Sequence, residues 1–211
     1  MSANRHDGLQ NWFDGWRLFA LLSLTLLALS VWIAGMRQFE VDGVRMVIRF
    51  TARTSLLFFC LAFSAAALTR LWPNTGTRWL RRNRRYLGVT FAASHAIHLF
   101  AIACFAVMDP AGYAAETSIA SYVFGGIGYA FILAMTVTSF DITAAALGPR
   151  AWRALHLVGG YYLLLQFTVS FGKRIPDMPL YALFLIPLVT VFVLRMVAMA
   201  SRRTPRVAQA G

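Results

Sequence analysis

The sequence predicts an all-α fold, a bundle of six transmembrane helices with both termini in the cytoplasm. Three observations predict it. Of 211 residues, 59% are hydrophobic and only 13% are charged, a composition that ordinary soluble domains do not have. Six segments, Trp16 to Met36, Phe50 to Leu71, Tyr86 to Met108, Ile119 to Phe140, Trp152 to Gly172 and Leu180 to Ala200, each hold about 20 mostly apolar residues, the length a helix needs to cross a bilayer. The connections between them differ in charge. The one before the third segment carries Arg70, Arg78, Arg81, Arg82, Arg84 and Arg85 with no acid, and the next carries Asp109 and Glu116 with no base. Basic connections stay in the cytoplasm.

The first segment is too long, and too poorly followed by small residues, to be a removable signal peptide, so it is read as a retained helix. Pro73, Asp109 with Pro110, Gly148 with Pro149, and Pro176 with Pro179 punctuate the later segments. Pro187 falls inside the sixth and predicts a kink there. Arg150, Arg153, Arg202, Arg203 and Arg206 fall on the cytoplasmic side under the same assignment. Trp12, Trp16, Trp72, Trp79 and Trp152 gather at the inner interface, with Trp32 near the outer one. The chain thus divides into a cytoplasmic segment 1–15, a membrane domain 16–200 and a basic tail 201–211. The net charge of +12 reads as topology signals for a lipid bilayer, not as a nucleic-acid surface. Short loops and a short tail predict that no nucleotide-binding module is attached. Cys60 and Cys104 lie in apolar segments and read as free buried thiols.

Three of the four histidines, His95, His98 and His156, lie within or at the mouth of these apolar runs. An imidazole in hydrocarbon is costly without a partner and is by default a candidate site. His95 and His98, three residues apart, point broadly the same way from one helix, and His156 stands near the start of the fifth. Neutral imidazole binds haem iron or another metal through one ring nitrogen while a carbonyl or hydroxyl holds the other, and helix bundles build cofactor sites from such facing side chains. The same residues also read as core histidines bonded to neighbouring helices, and His6 as a solvated one.

Several motifs recur in order. Thr51, Arg53, Ser55 and Leu56 start the second helix, and Arg84, Arg85, Leu87 and Gly88 start the third, with His98 fourteen residues after Arg84. Thr138 and Ser139 end the fourth, and Leu147, Gly148, Trp152, Leu155 and His156 lead into the fifth. In this order and spacing the chain resembles the ferric-reductase-like transmembrane domain family, nearest to the haem-binding membrane subunits of bacterial methionine sulfoxide reductase systems. The resemblance spans roughly the second helix through the fifth. It implies haem b in a six-helix bundle of the bacterial inner (cytoplasmic) membrane. It implies electrons taken from a cytoplasmic flavin reductase or a quinol and passed to an extracytoplasmic reductase subunit or acceptor. It also implies that His98 and His156 occupy haem-binding positions. The family pattern places a second histidine thirteen residues after the first on the fifth helix, where this chain has Val169.

At about 1.5 Å of rise per residue, His98 lies roughly 18 Å along its helix and His156 roughly 6 Å along its own. His95, about a turn nearer the level of His156, is the candidate to face it across one macrocycle. The sequence therefore supports one haem rather than two. Arg45, Arg49 and Arg53 form a basic stripe at the outer end of the second helix, suited to haem propionates, an FMN or quinone headgroup or an acidic partner, or equally to snorkelling into headgroups. Arg70 and Arg195 read as snorkelling anchors, and Gly125, Gly126 and Gly128 as a helix-packing face. The leading reading is an electron-transfer subunit, not a complete enzyme. The alternative is a cofactor-free scaffold or small-solute membrane protein of the same fold with a degenerate haem site.

Overall fold

The computed structural model describes residues 13–201. His6, Trp12, Arg202, Arg203 and Arg206 lie outside the described residues. Six helices are long and apolar enough to span a membrane: α1 (Gly15–Gly35), α2 (Val41–Leu71), α4 (Arg84–Met108), α6 (Ile119–Val137), α8 (Pro149–Gly172) and α9 (Leu185–Ala200), the last extended by a 3₁₀ turn over Pro179–Phe184. Three short helices link them: α3 (Thr75–Arg82), α5 (Pro110–Glu116) and α7 (Asp141–Leu147). No strand occurs among the described residues.

α2 is the central post, packing against α1, α4 and α9, with its most extensive contact on α4. Its 31 residues make a rod of about 46 Å, against a hydrocarbon thickness of about 30 Å. The excess, about ten residues, accommodates the charged start holding Asp42, Arg45 and Arg49. The second helix therefore begins earlier than the apolar run alone predicts, since charged side chains are tolerated beyond the hydrocarbon. Pro187 lies in the first turn of α9, just after the 3₁₀ turn, where its missing N–H is of little consequence.

Outward apolar faces meet lipid: Leu24, Phe100, Leu133 and Val189 are all exposed. The core is a column of aromatic rings from α2, α4 and α8, with Phe59, Phe91 and Phe167 all buried. Phe59 lies 5.8 Å from Phe91 and 5.3 Å from Phe167, centroid to centroid. A second, smaller cluster of Val44, Val47, Ala101 and Phe105 closes the opposite end of the α2–α4 contact.

One end of the bundle is latched by polar contacts between separate elements. Trp79 donates its indole N–H to the Phe13 carbonyl at 3.0 Å, Arg82 pairs with Asp14 at 3.1 Å, and Arg85 pairs with Asp141 at 2.7 Å. Arg70 donates to the Ser201 hydroxyl at 3.0 Å, so the first and last described residues lie at the same end. Asn83, fully buried, joins this latch: its side-chain oxygen accepts from the Gly15 N–H at 2.9 Å, and its amide donates to Asp14 and to the Trp79 carbonyl. Gly15 turns into α1 at φ 68°, a conformation that suits glycine.

Replacing Asn83 by Ala deprives the half-buried Gly15 N–H of its acceptor and Asp14 of a donor. The expected cost is about 1–3 kcal/mol, read as a lower unfolding temperature of the detergent-purified protein; an unchanged temperature would show that the latch bears no load.

Candidate functional site

Polar groups on α2 and α4 meet in a seam inside the bundle. Ser55 donates to the Ser94 hydroxyl at 2.9 Å, and Ser94 lies 3.3 Å from the Thr51 carbonyl, which accepts its proton. Thr51, Ser55 and Ser94 are all fully buried. At the top of the seam, His98 Nδ1 lies 2.9 Å from the Thr51 hydroxyl and 3.1 Å from the Ile48 carbonyl. Thr51 has one proton and is 2.7 Å from the Val47 carbonyl. With that proton given to Val47, His98 carries its own on Nδ1, donated to Thr51 and Ile48. Nε2 then holds the lone pair, the tautomer a metal-binding histidine needs.

His156 is positioned from the other end. Trp152, one turn earlier on α8, stacks on its ring at 4.3 Å and is itself fixed by a 2.8 Å bond from its indole N–H to the Thr138 carbonyl. The Thr138 hydroxyl lies 3.2 Å from His156 Nε2.

His156 forms part of the wall of a cavity of about 350 Å³ between α2, α4, α6 and α8, within the range of small-molecule sites. Phe59, Phe63, Phe91, Ile132 and Leu163 give it apolar walls, and Arg81, Arg82, Arg84 and Arg85 stand around its mouth with Asp141. Gly160 belongs to the same wall, where a Cβ would come within 2.6 Å of the Phe63 ring.

His98 lines a different and smaller cavity of about 110 Å³, together with Arg49, Arg53, Ser170, Lys173, Arg174 and Tyr181. Ile48, Arg49, Lys173 and Arg174 are shared with a cavity of about 810 Å³ at the far end of the bundle. Of the basic stripe, Arg45 is paired with Glu116 and lies 4.9 Å over the Phe105 ring. Arg53 lies over the Tyr181 and Phe184 rings at 5.9 and 5.5 Å.

The structure does not bring His95 and His156 together. The His95 ring meets Phe167 at 5.8 Å, and Phe167 lies eleven residues beyond His156 on the same helix, about 16 Å of rise. Two nitrogens on opposite faces of one metal are only about 4 Å apart, given metal–imidazole bonds near 2 Å. His95 instead sits in a ring chain, 4.9 Å from Phe91, 5.5 Å from His98 and 5.5 Å from Tyr129. Phe91 belongs to the first cavity and Tyr129 to the large one. The Nδ1 of His95 is buried without a hydrogen-bond partner.

Val169 is 55% exposed, and it is its neighbours Ser170 and Phe171 that line the His98 cavity. Gly125 and Gly126 line the large cavity, and a Cβ on either would touch nothing within 4 Å; only Gly128 of that trio makes the expected helix contact, against Tyr162 and Leu163. Arg195 does not snorkel. Its guanidinium donates to the Phe63 carbonyl at 3.0 Å and lies 3.9 Å over the Phe63 ring. The sequence reading also missed Tyr129, since a tyrosine in an apolar helix has no spacing signature.

Among the described residues no three His, Cys, Asp or Glu side chains gather to hold a bare metal ion. A group bringing its own equatorial ligands needs less from the protein. The first cavity has what haem asks for: apolar walls for a macrocycle, an imidazole in the wall and cations at the mouth for propionates.

No protein-family model matches the chain, and no solved structure matches it. Among curated proteins it is similar to the haem-binding subunit of protein-methionine-sulfoxide reductase, MsrQ, of Polaromonas naphthalenivorans (strain CJ2), with 28% identity over 177 residues, covering 79% of each chain. That similarity supports a distant relationship.

Gly160→Ala forces the Phe63 ring to move. An overpacking cost of about 1–3 kcal/mol is expected, seen as a lower unfolding temperature, whereas Gly126→Ala, which meets only open space inside a helix, does not lower it.

Proposed function

We propose that the chain is a membrane electron-transfer subunit that holds one haem b in the cavity lined by His156, with the arginine-rich end in the cytoplasm. One observation carries this reading: His156 stands in the wall of an apolar cavity ringed at its mouth by arginines. The distant relationship to a haem-binding subunit supports it. Bound haem would supply the one-electron redox change, and the protein its axial imidazole, a dry shell and orientation. His156 would hold the iron, and Trp152 and Thr138 would fix its ring. Arg81 and Arg84 are the candidates to bind the propionates.

The chain Phe91, His95, Tyr129 runs in ring contact from this cavity to the large one. His95 serves in this reading as a bridge for the electron, not as a ligand. His98, its Nδ1 held by Thr51 and Ile48, lines the smaller cavity. There Arg49, Arg53, Lys173 and Arg174 suit the phosphate of FMN as an anionic group, or donate to the carbonyl oxygens of a neutral quinone headgroup. In this reading both termini lie in the cytoplasm of a bacterial inner membrane, and a cytoplasmic flavin reductase or quinol as donor and an extracytoplasmic reductase partner are what the family resemblance implies.

A second reading has an observation in its favour. His98 and His156 each have a threonine hydroxyl within hydrogen-bond distance, as cofactor-free core histidines would.

The two readings separate by spectroscopy. Protein purified from haem-replete cells should show the absorption bands of reduced b-type haem. His156→Ala should lose most of that haem, whereas His95→Phe, which keeps a ring in the chain, should retain it. A colourless preparation refutes the electron-transfer reading.

A further inference from the structure

Arg195 is a charge held inside the bundle next to the cavity assigned to haem. It lies about 7 Å from the end of α9, and among the described residues it has no carboxylate within ion-pair distance. Its hydrogen-bonding partners are the Phe63 carbonyl at 3.0 Å and the Tyr161 hydroxyl at 3.4 Å. Its face covers the Phe63 ring at 3.9 Å and lies 5.3 Å from Tyr161. A snorkelling arginine stretches toward the headgroups, whereas this one is folded back onto α2 and α8.

What lies beyond Phe63 gives the position its meaning. Phe63 is a wall of the inner cavity and is held against Gly160. Arg195, half-buried, therefore sits behind a single aromatic ring from the cavity, where water screens it less than at the surface. Charge interactions across an apolar wall are much stronger than in water. A cation in a membrane segment is costly and is by default a candidate for function.

We propose that Arg195 is a positioning residue that raises the reduction potential of the group in the inner cavity. The inference rests on the haem reading above. Reduction of ferric to ferrous haem adds one electron and leaves the centre one charge more negative. A fixed positive charge behind the wall stabilises that reduced form relative to the oxidised one, and so shifts the midpoint upward. The nearby environment is one of the protein's means of setting haem potentials. The polar contacts to Phe63 and Tyr161 fix the guanidinium in place, so that the charge acts at a constant distance.

The test is a spectroelectrochemical redox titration of the haem band in the purified, haem-loaded protein. Arg195→Met removes the charge and approximates the length; Arg195→Gln removes it while keeping an N–H for the Phe63 carbonyl; Arg195→Lys keeps it. The proposal expects a lower midpoint in whichever neutral variant is recovered folded, and a midpoint near that of the parent for Arg195→Lys. A neutral variant that holds haem at the parent potential overturns it, leaving Arg195 as a packing residue. An equal shift in the lysine and neutral variants also overturns it, since packing and not charge would then set the potential. Absence of haem from the parent protein itself would instead overturn the haem reading on which the inference stands.

Discussion

The arrangement of this bundle depends on one constraint: inside hydrocarbon, each polar group must find its partner within the protein. The α2–α4 seam is where that constraint acts most strongly. Ser55, Ser94 and Thr51 bond one another there, and because both helices contribute, the bonds fix the register of one against the other. The same rule turns the Thr51 hydroxyl toward His98 and the Thr138 hydroxyl toward His156. It also folds Arg195 back onto the Phe63 carbonyl. The His95 Nδ1 is an exception to the rule, and it lies on the ring chain between the two cavities.

From the register follow the levels of the histidines. With Phe167 against both Phe91 and His95, the start of α8 is left far below, and His156 looks into its own cavity. The bundle therefore offers two separate imidazole stations, one near the arginine-rich end and one near the opposite end. Aromatic side chains fill the space between them. Such rings suit a relay because they are rigid and apolar and can touch without carrying polar groups that need satisfying.

Much of the fold was legible in the sequence, because apolar length and loop charge are properties that a membrane enforces residue by residue. The six spans and their order follow from those two signals alone. The start of α2 was not, since Asp42, Arg45 and Arg49 interrupt the apolar run although the helix continues through them. The candidate site was legible in part. Intramembrane histidines announce themselves by cost, so His95, His98 and His156 could be named from the sequence. Their pairing could not, because it depends on how α8 slides against α4, and no local pattern records that offset. Arg195 illustrates the same limit: its position near a helix end suggests an anchor, and only the neighbouring Phe63 carbonyl and ring reveal where the side chain goes.

The central claim is that His156 holds the haem as the only histidine on its iron, with His98 and His95 at other levels. Electron paramagnetic resonance of the oxidised, purified protein tests it most directly. The account predicts the signal of high-spin ferric haem, with one imidazole and no second strong ligand. A low-spin signal of two histidines, abolished by His98→Ala as well as by His156→Ala, would contradict it.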